Sequence, residues 1–189
     1  MNKITVGFSR PKKWKPLAQL IKLIEGTSYS HVFVTWKCTN IDRRKVFEAV
    51  GSGIRILSNV NFKKHAEVVE LYHFYVDDET LFKIEQQAHD MTGKPYGYKA
   101  IIGLGIMRFF NFFNRLFRLK GKQHNPFKDG DYSQVCVEAG GMVLSKIIKL
   151  PHNFEDFGLQ EFHDLVKKHG EKVSQEKIDK INGKNNKKN

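Results

Sequence analysis

Tyr132-Ser133-Gln134-Val135-Cys136-Val137-Glu138-Ala139-Gly140-Gly141-Met142-Val143-Leu144 decides how the chain is read. A polar loop, Lys128-Asp129-Gly130-Asp131, ends just before it, and Val135, Ala139, Met142, Val143 and Ile147 then recur at helical spacing. The spacing predicts a buried helix running to about Lys149 and stopped by Pro151, with Cys136 in its first turn. A helix N-terminus presents unpaired N–H groups and a partial positive charge. Both favour thiolate over thiol. Free Cys is also a common small core hydrophobe. Cys136 is therefore a candidate nucleophile only if the rest of the chain supplies a base and a group that orients it.

Outward from this helix the elements segregate. Ile4–Phe8 reads as a short buried strand, followed by a basic turn at Ser9-Arg10-Pro11-Lys12-Lys13. Pro16 suits the first turn of a helix with one apolar face of Leu17, Leu20, Ile21 and Ile24, ended by Gly26. Ser30–Lys37 is β-branched and aromatic, and period two puts His31, Phe33 and Thr35 on one face and Val32, Val34 and Trp36 on the other. Val46–Val50 follows with Val46, Glu48 and Val50 sharing a face, and Gly51-Ser52-Gly53 turns it into Ile54–Leu57. Glu67–Val76 is a further strand, with Val69, Leu71 and Tyr75 expected on one face.

Asp77 or Asp78 caps a helix over Glu79–Met91, which Gly93-Lys94-Pro95-Tyr96-Gly97 breaks. Ile101–Leu119 is apolar with a stripe of Arg108, Asn111, Arg115 and Arg118; it lines a core or cleft, or lies as a basic amphipathic helix on an anionic membrane. Its arginines make it a poor membrane span. Leu159–His169 is a last short helix, and Glu171–Asn189 reads as a disordered Lys/Asn-rich tail. Consecutive strands followed by consecutive helices give an α+β fold, with one domain over residues 1–170 and a tail over 171–189.

Thiol chemistry needs a base and a polar group that fixes the base's tautomer. Of the 8 His, His31 stands at the start of a strand, where the backbone holds it rigidly. Glu48 is an acid inside an apolar strand, and it approaches His31 if the two strands are neighbours. The competing readings are a backbone-bonded His and a carboxylate facing water.

The segments Ser30-His31-Val32-Phe33-Val34, Val46-Phe47-Glu48-Ala49-Val50-Gly51-Ser52-Gly53-Ile54, Gly93-Lys94-Pro95-Tyr96-Gly97 and Tyr132-Ser133-Gln134-Val135-Cys136-Val137-Glu138 resemble those of circularly permuted NlpC-type, papain-like cysteine hydrolases. In that group the strands of the base and the orienting residue precede the nucleophile helix. The resemblance implies a papain-like fold with Cys136 as nucleophile, His31 as base and Glu48 as orienting acid. Glu138 matches a structural acid of the group, whereas Val137 stands where a small Ser is usual. The oxyanion would be held by the Cys136 N–H and a second donor, with Tyr132 and Tyr29 as candidates and Tyr96 as a further substrate-side candidate. Amide hydrolysis, of a peptidoglycan peptide or an isopeptide-like bond, is the expected activity. A lipid-directed thioesterase or acyltransferase and a non-catalytic basic binding module stay open beside it.

Composition narrows the context. The two Cys exclude a disulfide framework, no zinc spacing or phosphate loop is present, and no cofactor is expected. Cys38 reads as structural. Net charge of +12 calls for an anionic polymer, membrane surface or larger assembly as partner, beside an amide- or ester-bearing substrate. Arg10–Lys15 reads as a solvated basic loop with Trp14 anchored in the core. The N-terminus lacks signal-peptide features, so cytoplasmic synthesis is expected, with virion association or release left open.

Overall fold

Ile4, Val6 and Phe8 point to one side of the first strand and Thr5, Gly7 and Ser9 to the other, and all six are buried. A strand covered on both faces belongs inside a sheet that is itself covered on both faces. In the computed structural model, which describes residues 1–38, 43–99, 102–103, 105–106, 135–152, 154 and 157–184, that is its place. β1 (Asn2–Pro11) lies between β2 (His31–Lys37) and β5 (Ala66–Val76), antiparallel to each. With β3 (Arg44–Val50), β4 (Gly53–Ser58) and β6 (Glu171–Lys172) it forms an antiparallel sheet of order β4-β3-β2-β1-β5-β6. The chain is α+β, as its segregated elements predict.

Helices cover both faces. Val6, Phe8, Val34, Trp36 and Tyr72 share a core with α3 (Asp78–Met91), α4 (Cys136–Leu144) and α5 (Leu159–His169), and Leu17 and Ile21 of α1 (Pro16–Glu25) pack against it. The opposite face carries Phe33, Val46, Val68 and Leu71, covered by Phe62 of α2 (Asn59–His65) and Ile178 of α6 (Gln175–Asn182). The alternation read in β2 is thus an alternation between two cores. Local signals agree: Asp77 accepts the Thr80 N–H at 2.7 Å to start α3. Pro16 opens α1, and Gly26, at φ 65°, closes it.

Several expectations are corrected. Leu71 and Tyr75 share a face, but Val69 does not share it with them, because a bulge sets Phe8 opposite Glu70 but Ser9 opposite Val68. Val69 packs in the first core, Leu71 in the second, and Tyr75 is half exposed. The Cys136 helix ends at Leu144 rather than Lys149, and turns with Ile147 and Ile148 N–H bonded to the Leu144 carbonyl bring Ile147, Ile148 and Leu150 onto the core. The described part of the expected tail is folded: β6 extends the sheet beside β5, Val173 and Ile178 are buried, and Asn182 bonds both the N–H and the carbonyl of Val68. Trp14 is 73% exposed instead of anchored. The Phe-rich stretch 101–119 falls outside the described residues except at 102–103 and 105–106, which are helical; Tyr132 also falls outside them. No helix among the described residues is long and apolar enough to cross a membrane.

Candidate active site

The β3–β4 hairpin builds the base. Its Gly51-Ser52 turn sets Val50 opposite Gly53, and therefore Ala49 opposite Ile54 and Glu48 opposite Arg55. On the other side Glu48 faces Phe33 of β2, so His31 is its diagonal neighbour on the same face. The result is a relay of short bonds. The Glu48 Oε1 accepts from Arg55 Nε at 2.9 Å and from Nη2 at 2.7 Å, and the Oε2 lies 2.8 Å from His31 Nε2. Each carboxylate oxygen has one task. Glu48 is only 4% exposed, which a carboxylate tolerates when its charge is matched on both sides.

The nucleophile candidate comes from the other core. α4 packs against β2 and β3 on the face opposite the His31 and Glu48 side chains. Gly140 allows this closeness, since a Cβ there would lie 3.0 Å from the Val32 side chain. His31 is the first residue of β2, so its ring stands at the end of the sheet, where the Cys136 side chain is near enough to act on it. Glu48 holds the ring through Nε2. Cys136 is the first residue of α4, and its N–H is not used by the helical ladder. The Glu138 carboxylate accepts the Val135 N–H at 3.0 Å and fixes the entry to the helix.

Electrostatics follow from these contacts. Burial by itself would lower the His31 value; the hydrogen bonds to Cys136 and Glu48 and the charge of each outweigh it and raise the imidazole from 6.5 to about 9. Burial by itself would raise Glu48; the hydrogen bond and charge of His31, then those of Arg55, hold its carboxyl below the ordinary value. The arrangement can hold an imidazolium between a carboxylate and a thiolate.

Tyr96 closes the site from the segment after α3. Gly93 N–H bonds to the Ile54 carbonyl and Ile54 N–H to the Lys94 carbonyl, each at 2.9 Å, which straps this segment along β4. The close approach requires Gly53, at φ +114° with Lys94 O 2.8 Å from where a Cβ would stand. Tyr96 lines the cleft of His31, Glu48 and Arg55, and also an apolar pocket formed by Cys136 with Ile21, Ile24, Val137 and Leu159. Burial first, then the charges of Cys136, Tyr98 and Glu138, push its phenol well above the ordinary value, so it stays an O–H donor. Val137, in place of the small residue usual in the resembling family, forms part of the apolar wall. Ser9, opposite His31 in the register, lines the His31 cleft with a buried hydroxyl that has no hydrogen-bond partner among the described residues.

His31, Glu48, Cys136 and Tyr96 are thus brought together. Tyr29 is not with them: it packs against Phe8 and His163, and its hydroxyl donates to Gln160 at 3.3 Å. Cys38 sits apart at the end of β2, its N–H on the Arg43 carbonyl. A second His pair, His163 with Glu70 at 3.0 Å and with Tyr72 at 3.2 Å, is a buried tie between α5 and β5. Arg55 and Ser9 were not singled out in the sequence, although the two-residue hairpin turn already sets Arg55 opposite Glu48. Among the described residues no group of three or more His, Cys, Asp or Glu could hold a metal ion. Compared with family models and with curated protein sequences, the chain matches none.

Proposed function

We propose that the chain is a cysteine hydrolase of the permuted NlpC-type, papain-like kind that cleaves an amide bond through Cys136, His31 and Glu48. The observation that carries this reading is the His31 ring, hydrogen-bonded to a buried carboxylate held by Arg55 and acted on by a helix-N-terminal Cys. A core Cys needs no such partners. The permuted order is supported by the chain order His31, Glu48, Cys136, the helix coming after both strands.

The mechanism follows from the donors at hand. The Cys136 sulfur attacks the carbonyl carbon, and the charge moves to the carbonyl oxygen. The Cys136 N–H and the Tyr96 hydroxyl are the donors assigned to that oxyanion. His31 gives its proton to the leaving nitrogen, the C–N bond breaks and a thioester to Cys136 remains. His31, now neutral, takes a proton from water, whose oxygen attacks the thioester; the C–S bond breaks and releases a carboxylic acid, leaving the Cys136 thiolate beside protonated His31 as at the start. Glu48 holds the ring in place and stabilises its charged form. A peptidoglycan or isopeptide-like amide is the first substrate class to try.

One observation favours a second reading. The pocket beside Cys136 is walled by Ile21, Ile24, Val137 and Leu159, which suits an aliphatic acyl group and hence a thioesterase or acyltransferase. Acid-quenched intact-mass spectrometry with activated esters of two-carbon and ten-carbon acids tests both. A single acyl adduct on Cys136, abolished by His31→Ala, is expected. A strong preference for the ten-carbon ester moves the assignment to lipid chemistry. No adduct with either ester leaves a non-catalytic basic module as the reading.

A further inference from the structure

A second cleft opens on the face of the sheet that α4 does not cover, between α2 and α6. Its floor is mostly apolar, with Phe33, Phe62 and Leu71 beside Thr5, Thr35 and His73. Its rim is cationic: Lys3 of β1, Arg44 of β3, Lys63 of α2, and Lys177 and Lys180 one turn apart on α6. Among the described residues no Asp or Glu lines it. Among the described residues only Lys180 of these cations has an ion-pair partner, Glu176, in an exposed pair, and the charge of that carboxylate also reaches Lys177. Like charges gathered this way repel unless a counter-charge joins them. His73, which also lines the cleft, registers the field. Burial first, and then the charges of Lys3, Arg44 and Lys177, lower its value, while Glu171 acts in the opposite sense.

The juxtaposition of an unneutralised cationic rim with an apolar floor selects a ligand that is anionic at one end and apolar along its length. We propose that this cleft binds a single-chain anionic amphiphile, with a phosphate or carboxylate head on Lys3, Arg44, Lys63 and Lys177 and an alkyl chain along the groove beside Ile181. Its volume of about 440 Å³ is of the order of small-molecule sites, roughly 300–1,000 Å³. A nucleic acid fits less well. Stacking needs an accessible aromatic face, whereas Phe33 and Phe62 are 3% and 2% exposed at the bottom of the cleft. The inference is independent of the catalytic reading, because the cleft lies on the other core and neither Cys136 nor His31 lines it.

The test is calorimetric titration of the full chain with decyl phosphate below its micelle concentration. Inorganic phosphate and decyl maltoside serve as head-only and chain-only probes. One saturable site per chain is expected, at least tenfold tighter for decyl phosphate than for either control. Lys63→Glu with Lys177→Glu should weaken it at least tenfold, and Cys136→Ala should leave it unchanged. If that double variant fails to fold by circular dichroism, Lys3→Glu with Lys180→Glu replaces it. The proposal is overturned by the lack of a saturable site, by inorganic phosphate binding as tightly, by indifference to the charge reversals, or by loss of binding in Cys136→Ala. Tight binding of a single-stranded oligonucleotide, lost on charge reversal, with no saturable decyl phosphate site, would instead make the surface a polyanion site.

Discussion

At the scale of single residues, Arg55 has the most to add. It forks both donors onto one oxygen of a buried carboxylate and leaves the other oxygen to His31. Removing it strands a buried charge with half its partners. Arg55→Ala should lower stability by about 1–3 kcal/mol, as expected when a buried acceptor loses its donors. Arg55→Lys should recover only part of that, because an ammonium cannot supply the planar fork. Urea unfolding checks both, and a wild-type midpoint in Arg55→Ala would show that the fork does not hold Glu48. His31 and Glu48 were legible in the sequence because each interrupts a strand pattern that otherwise needs apolar residues. Arg55 was legible in principle, from the arithmetic of a two-residue hairpin. Tyr96 drew attention only through its Gly/Pro-flanked segment, and its placement depends on backbone bonds to β4 that no local pattern encodes.

At the scale of elements, the terminal segment differs most from what its composition suggested. Lys and Asn dominate it, yet Val173, Ile178 and Ile181 reach the second core, and the helix that carries Ile178 and Ile181 closes the face over Val68 and Leu71. A chain ending at Gly170 should be destabilised on the order of 3–6 kcal/mol, from two buried aliphatic side chains at about 1.5–3 kcal/mol each. An unchanged thermal midpoint would restore the tail to solvent. The strand faces carry a similar lesson. Gly7 lies opposite both Phe33 and Leu71, and a Cβ there would overlap the Phe33 ring. Gly7→Ala should cost about 1–3 kcal/mol by overpacking, checked by the same denaturation. α2 escaped notice because Asn59–His65 is short and mostly polar, with one core residue, Phe62, to betray it. The Ser58 hydroxyl, which accepts the Asn61 N–H at 3.3 Å, was its only local signature.

At the scale of the whole molecule, the sheet order is the least local fact. The meander of β2, β3 and β4 follows from short connections, but the insertion of β1 between β2 and β5 does not. Burial of all six residues from Ile4 to Ser9 is what demands it. This central strand separates two cores, and the candidate site forms where a helix on one core meets a strand end facing the other. The protonated His31 ring joins them electrostatically, and its effect on stability has a definite sign. A value raised from 6.5 to about 9 means that the contribution is fully present below about 6.5 and is lost as pH rises through about 9. Thermal stability should therefore fall across that window in the wild type, and His31→Gln should flatten most of the fall. A fall of equal size in the variant would assign the pH dependence to other groups.

The central claim is that Cys136 and His31 form a thiolate–imidazolium pair, and the most direct measurement is the pH dependence of alkylation at that sulfur. Iodoacetamide labelling would be followed by peptide mass spectrometry, with Cys38 as the internal reference. The pair predicts labelling of Cys136 much faster than of Cys38, slowed strongly by His31→Ala and less by Glu48→Gln. Labelling of Cys136 that tracks an ordinary thiol and ignores His31→Ala would contradict it.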